Sequence, residues 1–153
     1  MVENAGISMR SKFKEYSFEN HVNVFDINVH GPFLHIQCLI NHMTKNKSGQ
    51  IVGISSVAGK LASTHRSSYA GSKHAFIGIL DSIRAEVRDD GISVTNIMPG
   101  YISTNLSKNA LVGKSGEKLG YTDKNIANGL KPEYFAKKSV QAIFRKESEL
   151  QIS

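Results

Sequence analysis

The chain has 153 residues, a formal charge of +6, 40% apolar and 21% charged residues, values that fit one globular domain and exclude a disordered polyelectrolyte. Its Lys and Arg are dispersed with no run of five, so the charge reads as a solvated basic surface and not as a nucleic-acid groove. The single cysteine, Cys38, excludes an internal disulfide, and the six histidines form no HExxH or similar metal-ligand pair.

No apolar run approaches the roughly 18 residues that a membrane span requires. Met1 to Gly6 carry neither the basic nor the apolar region of a secretory leader. From Phe18 to Lys45, apolar residues at Val22, Phe25, Val29, Phe33, Ile36, Ile40 and Met43 step by three and four, which predicts one long amphipathic helix. Cys38 lies among these positions and is expected to be a buried thiol. The helix contains Gly31-Pro32, and a proline there has no N–H for the carbonyl four residues earlier, that of Asn28.

Lys47-Ser48-Gly49 breaks the helix, and Gln50 to Ser55 reads as a buried strand followed by a turn carrying Ser56. Ser68 is the expected N-cap of a second long helix running to Asp89, where Asp-Asp-Gly ends it. Ile92 to Met98 forms another strand, closed by Pro99-Gly100. Residues 105–131 are polar and glycine-rich with little periodicity, as in a functional lid or mobile insert. Pro132 opens a last helix with Phe135, Ala136, Val140, Ile143 and Phe144 on one side, and Leu150 and Ile152 alternate in a short final strand. Alternating helices and strands predict an α/β fold around a parallel sheet.

Three groups in the middle of this order carry chemistry. Ser56 is followed thirteen residues later by Tyr69 and four further by Lys73, which puts the phenol and the ammonium one helical turn apart on one face. A phenol titrates near 10, and a nearby ammonium is expected to favour its phenolate and lower that value toward neutrality. Ser56 is then placed to hydrogen-bond a carbonyl or hydroxyl oxygen while Tyr69 exchanges the proton.

Ser-x12-Tyr-x3-Lys on a strand-then-helix pattern, with Asn4-Ala5-Gly6, Asn28 and Pro99-Gly100, resembles the active site of the short-chain dehydrogenase/reductase (SDR) superfamily. The runs Arg66 to Tyr69, His74-Ala75 and Pro99 to Ser107 resemble its dehydrogenase/reductase member 7 branch, nearest the 7B type. The resemblance implies an NAD(P)-dependent oxidoreductase that transfers hydride between the nicotinamide of NAD or NADP and a small-molecule carbonyl or alcohol. It implies Tyr69 as acid/base, Lys73 as its partner and ribose ligand, Ser56 as the group orienting substrate, and Asn28 as support of a water relay through its main-chain carbonyl. Asn4, Ala5, Gly6, Pro99, Gly100, Ile102 and Thr104 join Tyr69 and Lys73 as implied cofactor contacts. Asn stands in the family where this chain has Glu3.

No GxxxGxG turn for a pyrophosphate occurs in the 153 residues. The fold expected by resemblance is therefore a partial Rossmann-like, doubly wound parallel sheet over residues 1–153. It is expected to be the second half of an SDR domain, roughly strands four to seven, lacking the glycine-rich dinucleotide-binding half. On that reading the chain is an incomplete, inactive fragment with an unpaired edge strand around Val2 to Asn4. Full-length relatives on this branch are implied to associate with the endoplasmic reticulum membrane. The rival reading is non-catalytic. The helices Phe18–Lys45 and Ser68–Asp89 resemble those that pair in SDR dimers, so a half-domain would act as a homo-oligomer partner of intact subunits.

Overall fold

The computed structural model describes residues 1–153. Its main sheet contains β1 (Val2–Glu3), β2 (Gly49–Ile54), β3 (Ile92–Pro99) and β6 (Glu149–Ile152), all parallel, in the order β1-β2-β3-β6. Because the strands are parallel, their C-terminal ends lie along one edge, where the loops after Glu3, Ile54 and Pro99 gather. β1 is an outer strand, paired on one side by β2.

The expected single helix is divided ahead of Pro32. α1 (Phe18–Phe25) leads into a π turn over Asp26–His30 and then α2 (Gly31–Lys45), with the Gly31 N–H bonded five residues back to Asp26. A π turn absorbs the extra residue that a proline-interrupted ladder leaves over. α1 is capped by Ser17, whose Oγ accepts from the Asn20 N–H at 3.2 Å.

α3 (Ser67–Glu86) begins one residue before the expected cap. Arg66 occupies the cap position without a side-chain cap bond, and the Ser68 hydroxyl pairs instead with His21 Nδ1 at 2.8 Å, tying α3 to α1. After a 3-10 turn over Arg88–Asp90, the chain reverses at Gly91, whose φ of +70° lies in the region that glycine enters without steric cost.

One face of the sheet meets α2 and α3. Ile36, Ile51, Phe76, Leu80, Val87, Ile92 and Val94 form the contiguous core there. Gln50, one residue from Ile51, points to the opposite face, where its Nε2 donates to the Ile143 carbonyl of α5 (Pro132–Phe144) at 2.6 Å. Cys38 is exposed and not buried, because α2 turns Ile36 inward and leaves Leu34 and Cys38 on its outer side.

The insert is not patternless. It holds a small antiparallel sheet of β4 (Leu111–Val112) and β5 (Glu117–Lys118), then the single turn α4 (Lys124–Ala127). Leu111 exchanges main-chain bonds with Ser8 and Arg10 at 2.9 Å each, Ser11 Oγ accepts from the Gly113 N–H at 2.7 Å, and Arg10 is ion-paired to Asp123. Asn20 Nδ2 donates to the carbonyls of Gly113 and Lys114. These long-range bonds tie the insert to the chain after β1 and to α1.

Candidate active site

A cavity of about 520 Å³ opens at the C-terminal edge of the parallel sheet, the place where ligands enter open α/β sheets. Ser56, Tyr69 and Lys73 all line it, as do Asn4, Gly6, Pro99, Gly100, Ile102 and Thr104. Two residues singled out from the sequence, Ala5 and Asn28, do not. The strand β2 delivers Ser56, which caps a 3-10 turn by accepting from the Ala58 N–H at 3.1 Å and donates to the Pro99 carbonyl at 3.4 Å. Helix α3 delivers Tyr69 and Lys73 from its first two turns, both side chains buried.

Lys73 Nζ donates to the Ile54 carbonyl at 3.0 Å and lies 5.9 Å from the centre of the Tyr69 ring. Burial disfavours its charge and lowers its pKa to about 8. The phenol of Tyr69 moves the other way from the sequence expectation. Burial pushes it above its ordinary value, against smaller opposing pulls from hydrogen bonding with Ser56 and from the charge of Arg66. The correction has a plain cause: the phenolate is expensive to bury, and the ammonium is engaged with Ile54 while itself inclined toward neutrality.

Asn28 sits behind the cavity wall. Its Nδ2 donates to the Ile7 carbonyl at 2.9 Å and to Ser72 Oγ at 3.0 Å, and its Oδ1 accepts from the Ile7 N–H at 2.8 Å. The side chain is thus a clip between the chain after β1 and helix α3. Gly6 is the other contact of this wall: a Cβ there would stand 3.3 Å from Asn28 Oδ1 and 3.4 Å from Lys73 Nζ.

Sequence reasoning missed the far wall. Asn105, Leu106, Asn109, Ile126 and Phe135 line the cavity, brought there because Leu130 pairs with the 101–103 segment through bonds of 2.9 Å to Tyr101 and Ser103. Asn105 and Asn109 are one turn apart, joined by a main-chain bond of 3.0 Å. Tyr101, between Gly100 and Ile102, is half exposed and does not line the cavity.

The family model described as short chain dehydrogenase matches residues 1–114. The chain belongs to the short-chain dehydrogenase family. It is 39% identical, over all its residues, to the dehydrogenase/reductase SDR family protein 7-like of Drosophila melanogaster, of which it covers 47%. To SDR family member 7B of Xenopus laevis it is 40% identical, again over the whole chain and 47% of that protein. The chain therefore spans about half the length of these relatives.

Among solved structures, a short-chain dehydrogenase from Streptomyces avermitilis superposes with a TM-score of 0.85 at 27% identity, over 99% of this chain and 59% of that one. A 4-hydroxyisoleucine dehydrogenase complexed with NADH gives 0.79 at 26% identity, over 99% of this chain and 65% of that one. A gluconate 5-dehydrogenase from Burkholderia cenocepacia, in complex with NADP and tartrate, gives 0.81 at 21% identity, covering 99% and 62%.

The expected placement of the chain as the second half of an SDR domain, roughly strands four to seven, is corrected by where the match falls. The family model aligns with the N-terminal part of the chain and stops before α5 and β6. The chain is an α/β, Rossmann-like member of the short-chain dehydrogenase family, without that placement.

Proposed function

We propose that this chain works as an oxidoreductase through the Ser56–Tyr69–Lys73 cavity, exchanging a hydride and a proton between a nicotinamide dinucleotide and a small carbonyl or alcohol. The observation that carries this reading is the convergence of a hydroxyl, a buried phenol and a buried ammonium with a pKa lowered to about 8, on one cavity at the sheet's C-terminal edge. The NADH held by the 26%-identical 4-hydroxyisoleucine dehydrogenase supports the cofactor class.

The donor set suits the nicotinamide-ribose end of such a cofactor. Lys73 offers a cation for ribose hydroxyls, while the Thr104 side chain and the Ile102 main chain offer polar contacts for a carboxamide. Gly6, with Asn4 and Ala5 before it, keeps the backbone side of the wall free of a side chain, and Pro99-Gly100 shapes the opposite side. When bound, the dinucleotide supplies or receives the hydride at the substrate carbon.

The chain's own residues do the rest. Ser56 exchanges its bond to Pro99 for one to the reacting oxygen and fixes that oxygen beside Tyr69. In reduction, Tyr69 gives its phenolic proton to the oxygen as the carbon is reduced; in oxidation it takes that proton back. The raised phenol is a neutral proton donor at neutral pH, ready for reduction. Lys73, which ribose hydroxyls would hold in its charged form, stabilises the phenolate that remains. The Asn28 main-chain carbonyl, which Pro32 has no N–H to occupy, supports a water that returns a proton from solvent.

The test is turnover of NADH and NADPH with a panel of aldehydes and ketones, comparing wild type with Tyr69→Phe. Loss of rate by about a hundred- to ten-thousand-fold in Tyr69→Phe is expected. Equal rates across the pH range would overturn the assignment.

A second reading, association with another copy, is favoured by one observation: α2 leaves the large apolar side chains of Phe33, Leu34 and Leu39 exposed. Size-exclusion chromatography of wild type and of Leu34→Glu tests it, a monomer in both counting against it.

A further inference from the structure

Ser72 lies between Tyr69 and Lys73 on α3 and is wholly buried, yet it reaches neither the cavity nor any reacting atom. Its hydroxyl donates to the Tyr69 carbonyl at 2.8 Å, one turn back in its own helix. That commits the only proton of the group, so Oγ faces Asn28 Nδ2 as an acceptor at 3.0 Å. The direction of this bond propagates. With Nδ2 giving to Ser72 and to the Ile7 carbonyl, Oδ1 must face the Ile7 N–H, which it accepts at 2.8 Å. A flipped amide would set Oδ1 against two acceptors and Nδ2 against a donor, so Ser72 reinforces, from the helix side, the orientation in which Asn28 grips Ile7 twice.

We propose that Ser72 is a positioning residue of the site, acting through Asn28 to hold the Gly6–Ile7 wall of the cavity at a fixed distance from Tyr69 and Lys73. The inference rests on the reading of this cavity as a nicotinamide-ribose site. The geometry makes the coupling short. The position of a Cβ on Gly6 is 3.3 Å from Asn28 Oδ1 and 3.4 Å from Lys73 Nζ, so a shift of the Asn28 amide moves the wall that faces the ammonium. Ser55 acts on the other side of the same helix, donating to the Lys73 carbonyl at 3.2 Å, which leaves the Ser72–Asn28 link as the tie toward β1.

The experiment compares wild type, Ser72→Ala and Ser72→Thr, the last keeping the hydroxyl. Amide resonances of Gly6 and Ile7 are recorded, and reduced nicotinamide mononucleotide is titrated at a temperature where each protein is folded. In Ser72→Ala both resonances are expected to shift and affinity to fall about tenfold, the scale set by a buried donor losing one acceptor. Ser72→Thr is expected to restore both. Unshifted resonances or undiminished affinity in Ser72→Ala would overturn the proposal, and so would a loss that Ser72→Thr does not rescue. Should Ser72→Ala fail to fold, the Asn28 side-chain amide of wild type decides: slow hydrogen exchange is required, and fast exchange contradicts it. Failure of wild type to bind the mononucleotide would sink the functional reading, while the resonance comparison still judges Ser72.

Discussion

Lys73 Nζ lies 5.9 Å from the centre of the Tyr69 ring and donates to the main-chain oxygen of Ile54 at 3.0 Å. The two groups are one helical turn apart, and burial favours the neutral form of each: the phenol is raised and the ammonium lowered to about 8. Without a ligand the pair does not activate itself. A hydroxyl-bearing ligand against Lys73 is what would return the charge to the ammonium and so make the phenolate affordable.

Lys73 gives a stability signature with a definite sign. Its ordinary value is 10.5 and its folded value about 8, so between these pH values the unfolded chain holds a proton that the folded one has released. The cost of burying the charge is fully present below pH 8 and is relieved as pH rises toward 10.5, by up to about 3 kcal/mol. Denaturant unfolding of wild type should therefore gain stability across this window relative to Lys73→Met. A constant difference between the two would contradict the burial of a titrating Lys73.

Gly53 is required by packing and not by backbone conformation. A Cβ there would touch Leu80 Cδ1 and stand 2.9 Å from Phe76 Cε1, both fully buried core side chains. Gly53→Ala should cost about 1–3 kcal/mol in denaturant unfolding, as overpacked cores do. An unchanged unfolding midpoint would say that the β2–α3 contact yields easily.

The Arg10–Asp123 ion pair holds the insert to the chain after β1. The Asp123 carboxyl is lowered from 3.8 chiefly by its hydrogen bond from Arg10, with the Asn125 N–H adding to it. Its contribution is present above the ordinary carboxylate value and is lost as pH falls through the lower folded value. Asp123→Asn should cost about 1 kcal/mol at neutral pH and speed amide exchange in β4 and β5, with the difference from wild type shrinking below pH 3.8. A difference that persists in acid would assign the effect to the cap bond on Asn125 instead.

The sequence made the strands and the grouping of Ser56, Tyr69 and Lys73 readable because each depends on local spacing. Ile51, Val94 and their neighbours carry a buried-strand pattern, and Tyr69 and Lys73 share a helix face wherever that helix packs. What spacing could not give was direction. The partner of Lys73 is the Ile54 carbonyl, nineteen residues away, and burial decides which way the phenol titrates. The side-chain clip from Asn28 to Ile7 depends on two segments meeting in space. The insert was illegible for the same reason: its order comes from Arg10, Ser11 and Asn20, far from it in sequence. The placement as a second half rested on the absent glycine-rich turn, and the family match on residues 1–114 does not carry it.

The claim that Lys73 holds a nicotinamide ribose while Tyr69 handles the proton is tested most directly by binding alone. Reduced nicotinamide mononucleotide, the half of the cofactor that the cavity residues would touch, is titrated by fluorescence into wild type, Tyr69→Phe and Lys73→Ala. Wild type and Tyr69→Phe should bind alike, and Lys73→Ala at least about tenfold more weakly, the scale of a lost charge-assisted hydrogen bond. Equal binding by wild type and Lys73→Ala, or no binding by wild type, would contradict the account.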